Sequence, residues 1–179
     1  GKRMNASLPF MDAESDCIVC GVGSFCPVGS EAETPCAPGT YSDKQEQETC
    51  GKCAAGKVQA AEGQTACKSC TAGYYCELGA AAPLPCPAGT RMNSSLDVMV
   101  SESECVVCDA GKMSDVESET CDTCEAGSYS STGSSTCTPC SAGTASNMSG
   151  SSSCTTCGIG FYQQATGATA CMACPLGKH

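Results

Sequence analysis

The chain has 179 residues, of which 20 are cysteine, and carries a formal charge of −10 with a pI near 4.4. It has no Trp, three Phe and five Tyr, and its 41% hydrophobic fraction is inflated by Cys and Ala, so a conventional core is excluded. Covalent cross-links or metal must hold such a chain together, and its acidic balance argues against nucleic-acid or anionic-membrane partners, which select for Lys and Arg.

In chain order, the first segment is GKRMNASLPFMDAESDCIVC, ending in the pair Cys17/Cys20. Gly23 opens the next unit, which carries Cys26 and closes at Cys36. Three further units close at Cys53, Cys70 and Cys86; the first two carry the pairs Cys50/Cys53 and Cys67/Cys70, and the third has Cys76 ten places before Cys86. The longer sequence GTRMNSSLDVMVSESECVVC then fills 89–108 and repeats the first segment at an offset of 88. Four units follow, with the pairs Cys121/Cys124, Cys137/Cys140, Cys154/Cys157 and Cys171/Cys174.

Every closing cysteine is followed three places later by glycine, at Gly23, Gly39, Gly56, Gly73, Gly89, Gly111, Gly127, Gly143, Gly160 and Gly177. The steps between closing cysteines are 16, 17, 17, 16, 22, 16, 16, 17 and 17. A short constant period of this kind marks a linear repeat array. The expected organisation is two superrepeats of five modules, 1–88 and 89–176, with 177–179 beginning another, as a piece of a longer tandem chain. The fold class expected is small and disulfide-rich: a linear array of short two-stranded β-hairpin modules of 16–17 residues, an elongated rod with little helix and no conventional core. No apolar stripe of 3.6-residue period supports helix. Each unit instead reads as two short strands around a turn such as Thr132-Gly133-Ser134 or Ser149-Gly150-Ser151.

The glycine after each closing cysteine permits a tight turn or a positive φ. Two residues on, an aromatic recurs at Phe25, Tyr41, Tyr75, Tyr129 and Tyr162, where a ring can shield a disulfide through sulfur–ring contact. The expected bridges join the second cysteine of one pair to the first of the next: Cys20–Cys26, Cys36–Cys50, Cys53–Cys67, Cys70–Cys76, Cys86–Cys105, Cys108–Cys121, Cys124–Cys137, Cys140–Cys154 and Cys157–Cys171. Cys17 and Cys174 then point to inter-fragment partners. Zinc stands as the rival, because Cys50, Cys53, Cys67 and Cys70 have the spacing of a zinc ribbon, as do Cys137, Cys140, Cys154 and Cys157. The pairs run on without a break, so any partition into fours is arbitrary, and no metal or other cofactor is expected. Three sequons, at Asn5, Asn93 and Asn147, name N-glycosylation sites, the first two at equivalent superrepeat positions.

The run Cys36-Ala37-Pro38-Gly39-Thr40-Tyr41-Ser42, ending at Thr49-Cys50-Gly51-Lys52-Cys53, resembles the ephrin-receptor-like cysteine-rich repeat. It is also similar to the first half-module of tumour-necrosis-factor-receptor cysteine-rich domains. Phe25-Cys26-Pro27-Val28-Gly29 with Pro35-Cys36-Ala37-Pro38-Gly39 resembles a variant common in large protist surface proteins. The resemblance implies a pairing of the cysteine before Pro-Gly-Thr-Tyr with the next cysteine, here Cys36 with Cys50. It implies the settings in which such repeats occur: receptors, secreted matrix-type proteins and the glycoproteins of mastigonemes, the hair filaments of flagella.

Catalysis is not expected: the one His is His179, and no nucleophile elbow, phosphate loop or paired-carboxylate constellation stands out. The leading expectation is an extracellular structural glycoprotein, at the cell surface or flagellar surface, forming an extended rod or filament. Its expected partners are other copies of itself or other extracellular structural proteins, together with N-linked glycans, with no nucleic acid and no membrane insertion in this segment. The alternative is the stalk or ligand-binding ectodomain of a receptor or adhesion protein.

Overall fold

A computed structural model describes residues 1–175 of the chain; the expectations placed on Gly177, on His179 and on 177–179 as the start of a repeat lie outside them. The architecture is ten two-stranded hairpins in series, with two-residue strands. Hairpins 1 to 5 pair Lys2–Arg3 with Ile18–Val19, Ser24–Phe25 with Thr34–Pro35, Thr40–Tyr41 with Gly51–Lys52, Lys57–Val58 with Lys68–Ser69, and Tyr74–Tyr75 with Leu84–Pro85. Hairpins 6 to 10 pair Thr90–Arg91 with Val106–Val107, Lys112–Met113 with Asp122–Thr123, Ser128–Tyr129 with Thr138–Pro139, Thr144–Ala145 with Thr155–Thr156, and Phe161–Tyr162 with Met172–Ala173. The only helical turns among the described residues are two single 3-10 turns, Glu14–Asp16 and Glu102–Glu104, at equivalent places in the two longer units.

Each hairpin is linked to the next through Cys-x-x-Gly, whose last three residues fold with the one that follows them into a four-residue turn. The carbonyl of the residue after the cysteine accepts from the amide of the residue after the glycine, as in Thr40 N–H to Ala37 O (3.0 Å) and Lys112 N–H to Asp109 O (3.1 Å). Glycine stands third in that turn with φ between 78° and 87° at nine described positions, the geometry a type II turn demands. At Thr40, Thr90, Ser128 and Thr144 the hydroxyl donates to the same carbonyl, at 2.7–2.8 Å. At eight hairpins the amide of the closing cysteine then donates back to the turn glycine's carbonyl, as Cys36 does to Gly23 and Cys124 to Gly111, both at 2.9 Å.

A two-stranded hairpin of this size is marginal alone, and the described chain forms two compact units: Gly1–Leu84 with Leu96–Ser101, and Pro85–Ser95 with Glu102 onward. Within each, three sets of backbone hydrogen bonds tie a hairpin to its successors. The turn glycine's amide donates to the carbonyl three residues after the next turn glycine: Gly23 to Ser42 (2.8 Å) and Gly39 to Gln59 (2.7 Å) in the first unit, Gly111 to Ser130 (2.9 Å) and Gly143 to Gln163 (2.7 Å) in the second. The amide at that third position donates to the bend of the next hairpin, as Ser42 does to Gln64 (3.0 Å) and Ser146 to Ala168 (3.1 Å). The bend's own amide donates to the closing-cysteine carbonyl two hairpins back: Gly63 to Cys36 (2.8 Å), Gly79 to Cys53 (2.7 Å), Gly150 to Cys124 (2.7 Å) and Gly167 to Cys140 (2.8 Å).

The buried interior is mostly sulfur. Cys20, Cys26, Cys36, Cys53, Cys76, Cys86, Cys108, Cys124 and Cys140 are fully buried, and Met99 is the one large aliphatic side chain among the fully buried residues.

Candidate functional site

Nine disulfides run along the chain: Cys20–Cys26, Cys36–Cys50, Cys53–Cys67, Cys70–Cys76, Cys86–Cys105, Cys108–Cys121, Cys124–Cys137, Cys140–Cys154 and Cys157–Cys171. Each closes one hairpin onto its predecessor's last residue, with Cα atoms 5.6–6.2 Å apart, inside the ordinary disulfide range. The ribbon-spaced set Cys50, Cys53, Cys67 and Cys70 is divided among three bridges. Cys17 and Cys174 are unbridged and half-buried.

The two displaced cysteines have a simple geometry. Cys26 and Cys76 stand three residues after their turn glycines, the slot held by Ser42, Gln59, Ser114, Ser130 and Ser146 elsewhere, all buried. That slot and the usual cysteine position both reach the closing cysteine of the preceding hairpin. Where Ser or Gln fills the slot, its side chain is satisfied by backbone: Ser114 Oγ donates to Thr90 O (2.7 Å), Ser130 Oγ to Lys112 O (2.8 Å), and Gln59 Nε2 to Ala66 O (2.7 Å). Sequence reasoning passed over this slot; its signal was Ser, Gln or Cys three places after the glycine in every unit but the two long ones, where Met4 and Met92 stand there.

The turn glycine has a second reason to be glycine. A Cβ on Gly23 would collide with Gly63 O, one on Gly39 with Gly79 O, one on Gly111 with Gly150 O and one on Gly127 with Gly167 O. Each of these four turns is therefore the seat for the bend of the hairpin two places on. The seat at Gly56 is filled differently, by the longer arm 96–101: the Cβ position of Gly56 lies 3.0 Å from Val98 Cγ1 and 3.4 Å from Val100 Cγ1. Met99 O accepts from Cys76 N–H at 3.1 Å, and Met99 bridges to Tyr75, which is buried beneath it.

Asn5 and Asn93 are half-buried and Asn147 is exposed. The first two adopt the same turn, with Asn5 Oδ1 accepting from Ser7 N–H and Asn93 Oδ1 from Ser95 N–H, both at 3.1 Å. The aromatics of the recurrent slot lie in the first strand of their hairpins; a Cβ on Gly51, cross-strand from Tyr41, would touch the Tyr41 ring. Among the described residues the shortest ion pair is Lys2 Nζ to Glu14 Oε1 at 2.7 Å, which raises the Lys2 pKa and lowers that of Glu14, chiefly through the hydrogen bond itself.

Hairpins in series, nine of the ten stapled by a disulfide and several seating the bend of a later one, define a disulfide-rich repeat protein. Residues 143–179 match a family of cysteine-rich repeats described as tyrosine-protein kinase ephrin type A/B receptor-like. No curated protein matches the chain. The ephrin-receptor-like repeat and the density of disulfides give an extracellular domain of receptor-like or structural type. No helix among the described residues is long and apolar enough to cross a membrane.

Proposed function

We propose that the chain is a structural segment of an extracellular glycoprotein, in which the repeats build an extended rod or filament of the mastigoneme or cell-surface-fibre kind. The observation that carries this reading is the ladder of backbone bonds passing, within each compact unit, from one hairpin to the next and the next but one, on modules that recur at 88 residues. Equal surfaces at equal intervals suit repeated contacts with like molecules. On this reading the chain has no enzymatic role, its partners are further copies or other extracellular structural proteins, and Asn5, Asn93 and Asn147 carry N-linked glycans. Negative-stain microscopy of the parent protein tests it: fibres are expected, and isolated compact monomers overturn it. A non-reducing mass map tests its chemistry, since free thiols on most cysteines contradict an extracellular setting.

The alternative, a stalk or ligand-binding ectodomain of a receptor or adhesion protein, is favoured by the receptor family that residues 143–179 match. It predicts a membrane anchor and a signalling or adhesive domain in the parent sequence.

A further inference from the structure

The groove between hairpins 6 and 7 has a counterpart between hairpins 1 and 2, and the two are filled differently. Arg3 and Gly21 correspond at the 88-residue offset to Arg91 and Asp109. In the first copy Glu33 reaches across from hairpin 2: its Oε1 lies 3.6 Å from Arg3 Nε, and its Oε2 accepts from Gly21 N–H at 3.4 Å. In the second copy the residue at that offset is Cys121, which is bonded to Cys108 and has no carboxylate to offer. Arg91 turns its Nη1 to Met92 O (3.0 Å), and a cavity of about 380 Å³ lies between the hairpins, with Arg91, Ser94, Val106, Val107, Lys112 and Glu119 in its walls. That volume falls in the roughly 300–1,000 Å³ range of small-ligand sites. The rim carries a sequon. Asn93 precedes the lining Ser94 in Asn93-Ser94-Ser95, and it stands four residues after its turn glycine, the slot that Asp43 and Asn147 hold in the walls of the matching grooves of hairpins 3–4 and 9–10.

We infer that the first sugars of an N-linked glycan on Asn93 lie in this groove and brace hairpin 6 against hairpin 7. Asn93 Oδ1 is held by Ser95 N–H at 3.1 Å, which leaves Nδ2 as the atom that bears the sugar. The walls match the chemistry of an N-acetylated sugar. Arg91 and Lys112 donate hydrogen bonds, and Asp109 and Glu119 accept them, as sugar hydroxyls and an acetamido group require. An ionic ligand of either sign would meet like charge there. Val106 and Val107, the second 51% exposed, offer an apolar wall to the C–H face of the ring and to the acetyl methyl. The tether makes the contact intramolecular, so weak individual contacts suffice. The brace falls on the bond by which hairpin 6 holds the bend of hairpin 7, Met92 N–H to Ser118 O (3.2 Å), beside Glu119 in the groove wall. The corresponding bond in the first copy, Met4 N–H to Ser30 O (2.8 Å), lies where Glu33 already joins the two hairpins. This inference rests on the glycoprotein reading and gives one glycan a place in the fold.

The test uses the protein secreted from eukaryotic cells, with occupancy at Asn93 read by peptide mass. Ser95→Ala removes the sequon and keeps the amide that holds Asn93 Oδ1, so the glycan is lost and the turn is kept; Ser7→Ala does the same at Asn5. Both serines are exposed, and an unchanged disulfide map verifies the fold. In the native glycoprotein the acetyl methyl of the first sugar should show NMR contacts to the methyls of Val106 and Val107. Exchange at the Met92 amide should be roughly tenfold faster in Ser95→Ala, with exchange at Met4 unchanged in Ser7→Ala. Lys112→Ala combined with Glu119→Ala, both at exposed residues, should reproduce that loss in the glycosylated chain and add nothing to Ser95→Ala. An occupied Asn93 whose loss leaves Met92 exchange unchanged, equal acceleration at Met4 and Met92, or wall substitutions that act alike with and without the glycan each overturn the inference and leave the glycoprotein reading standing. An unoccupied Asn93 overturns the inference together with the glycan assignment at that residue.

Discussion

The arm at 96–101 and its equivalent at 8–13 share a backbone plan, a 3-10 turn immediately after them and a methionine at the same place, yet one methionine is buried and the other is not. The difference lies in what is underneath. Residues 96–101 have the turn of Gly56 and the strand of Tyr75 to lie on, and 8–13 have no counterpart beneath them among the described residues. Burial in this fold is therefore a property of neighbouring repeats more than of a repeat. A hairpin contributes a staple and a seat, and the apolar contact is made only when another unit arrives. Removing the side chain from the seated arm is the strongest way to break the comparison. Met99→Ala should cost roughly 3 kcal/mol, in the range for truncating a buried Met, and Met11→Ala next to nothing. Global unfolding of a repeat array is not a single transition, so the readout is hydrogen exchange at the Cys76 amide, which donates to Met99 O. A loss of protection of about a hundredfold is expected for the first variant, and equal loss in the two variants would contradict the comparison.

The seats allow the same contrast without an arm. Gly111 and Gly143 have the same φ of 83°, but a Cβ on Gly111 meets the backbone of Gly150 and one on Gly143 meets nothing. Alanine at 143 pays the left-handed cost alone, about 1 kcal/mol. Alanine at 111 must also push the bend of hairpin 9 off its seat, for a total of about 2–3 kcal/mol. Exchange at the Gly150 amide reports the second effect directly, since that amide donates to Cys124 O when the bend is seated.

The contrast between these two glycines also shows where the sequence is legible. A turn that needs positive φ and a cysteine three residues before it are local demands, so hairpins, little helix and a sulfur-rich interior follow from the spacing of Cys and Gly. The seating of one bend on a turn two hairpins earlier is not local. It joins Gly23 to Gly63 or Gly111 to Gly150 through main-chain atoms, which leave no side-chain signature. Glycine in the turn already has a sufficient reason, so its second role is masked by its first. The buried slot at Ser42, Gln59, Cys76 and Ser130 is hidden for another reason: these residues share neither hydropathy nor size, only an ability to be satisfied by backbone or by a bridge. The arms read as variable linkers because their apolar residues are few and follow no period, and only the 88-residue offset shows that Met11 and Met99 correspond.

A smaller effect is expected at the bends themselves. Six of them place glycine at positive φ, but hairpins 3 and 7 use Glu46 (φ 61°) and Glu117 (φ 67°). Both residues still donate to the closing cysteine two hairpins back, Glu46 to Cys20 at 3.1 Å and Glu117 to Cys86 at 3.3 Å. Glu46→Gly and Glu117→Gly relieve the left-handed strain and lose part of that gain to the freer unfolded chain. A net stabilisation of about 0.5 kcal/mol is expected at each, read as slower exchange at the substituted amide. Destabilisation would mean that the glutamate side chains hold these bends by contacts of their own.

The smallest effect separates the two long units by charge. Lys2 pairs with Glu14 in the first, while Thr90 takes the lysine's place in the second. The hydrogen bond to Lys2 holds the Glu14 carboxyl below its ordinary value, so the pair's contribution is complete above the unfolded carboxylate pKa and is lost as pH falls through the lower, folded value. Glu14 is exposed and Lys2 half-buried at the surface, so solvent screens the pair, it adds little to stability and salt weakens what it adds. The check is a carboxylate-resolved NMR titration. Glu14 should titrate below the usual glutamate range in the native chain and return to it in Lys2→Thr, which gives the first unit the residue of the second. High salt should move the native midpoint in the same direction. A Glu14 midpoint unmoved by that substitution would show that the pair is not populated in solution, and the arm at 8–13 would then lack its one charged tether to the strand Lys2–Arg3.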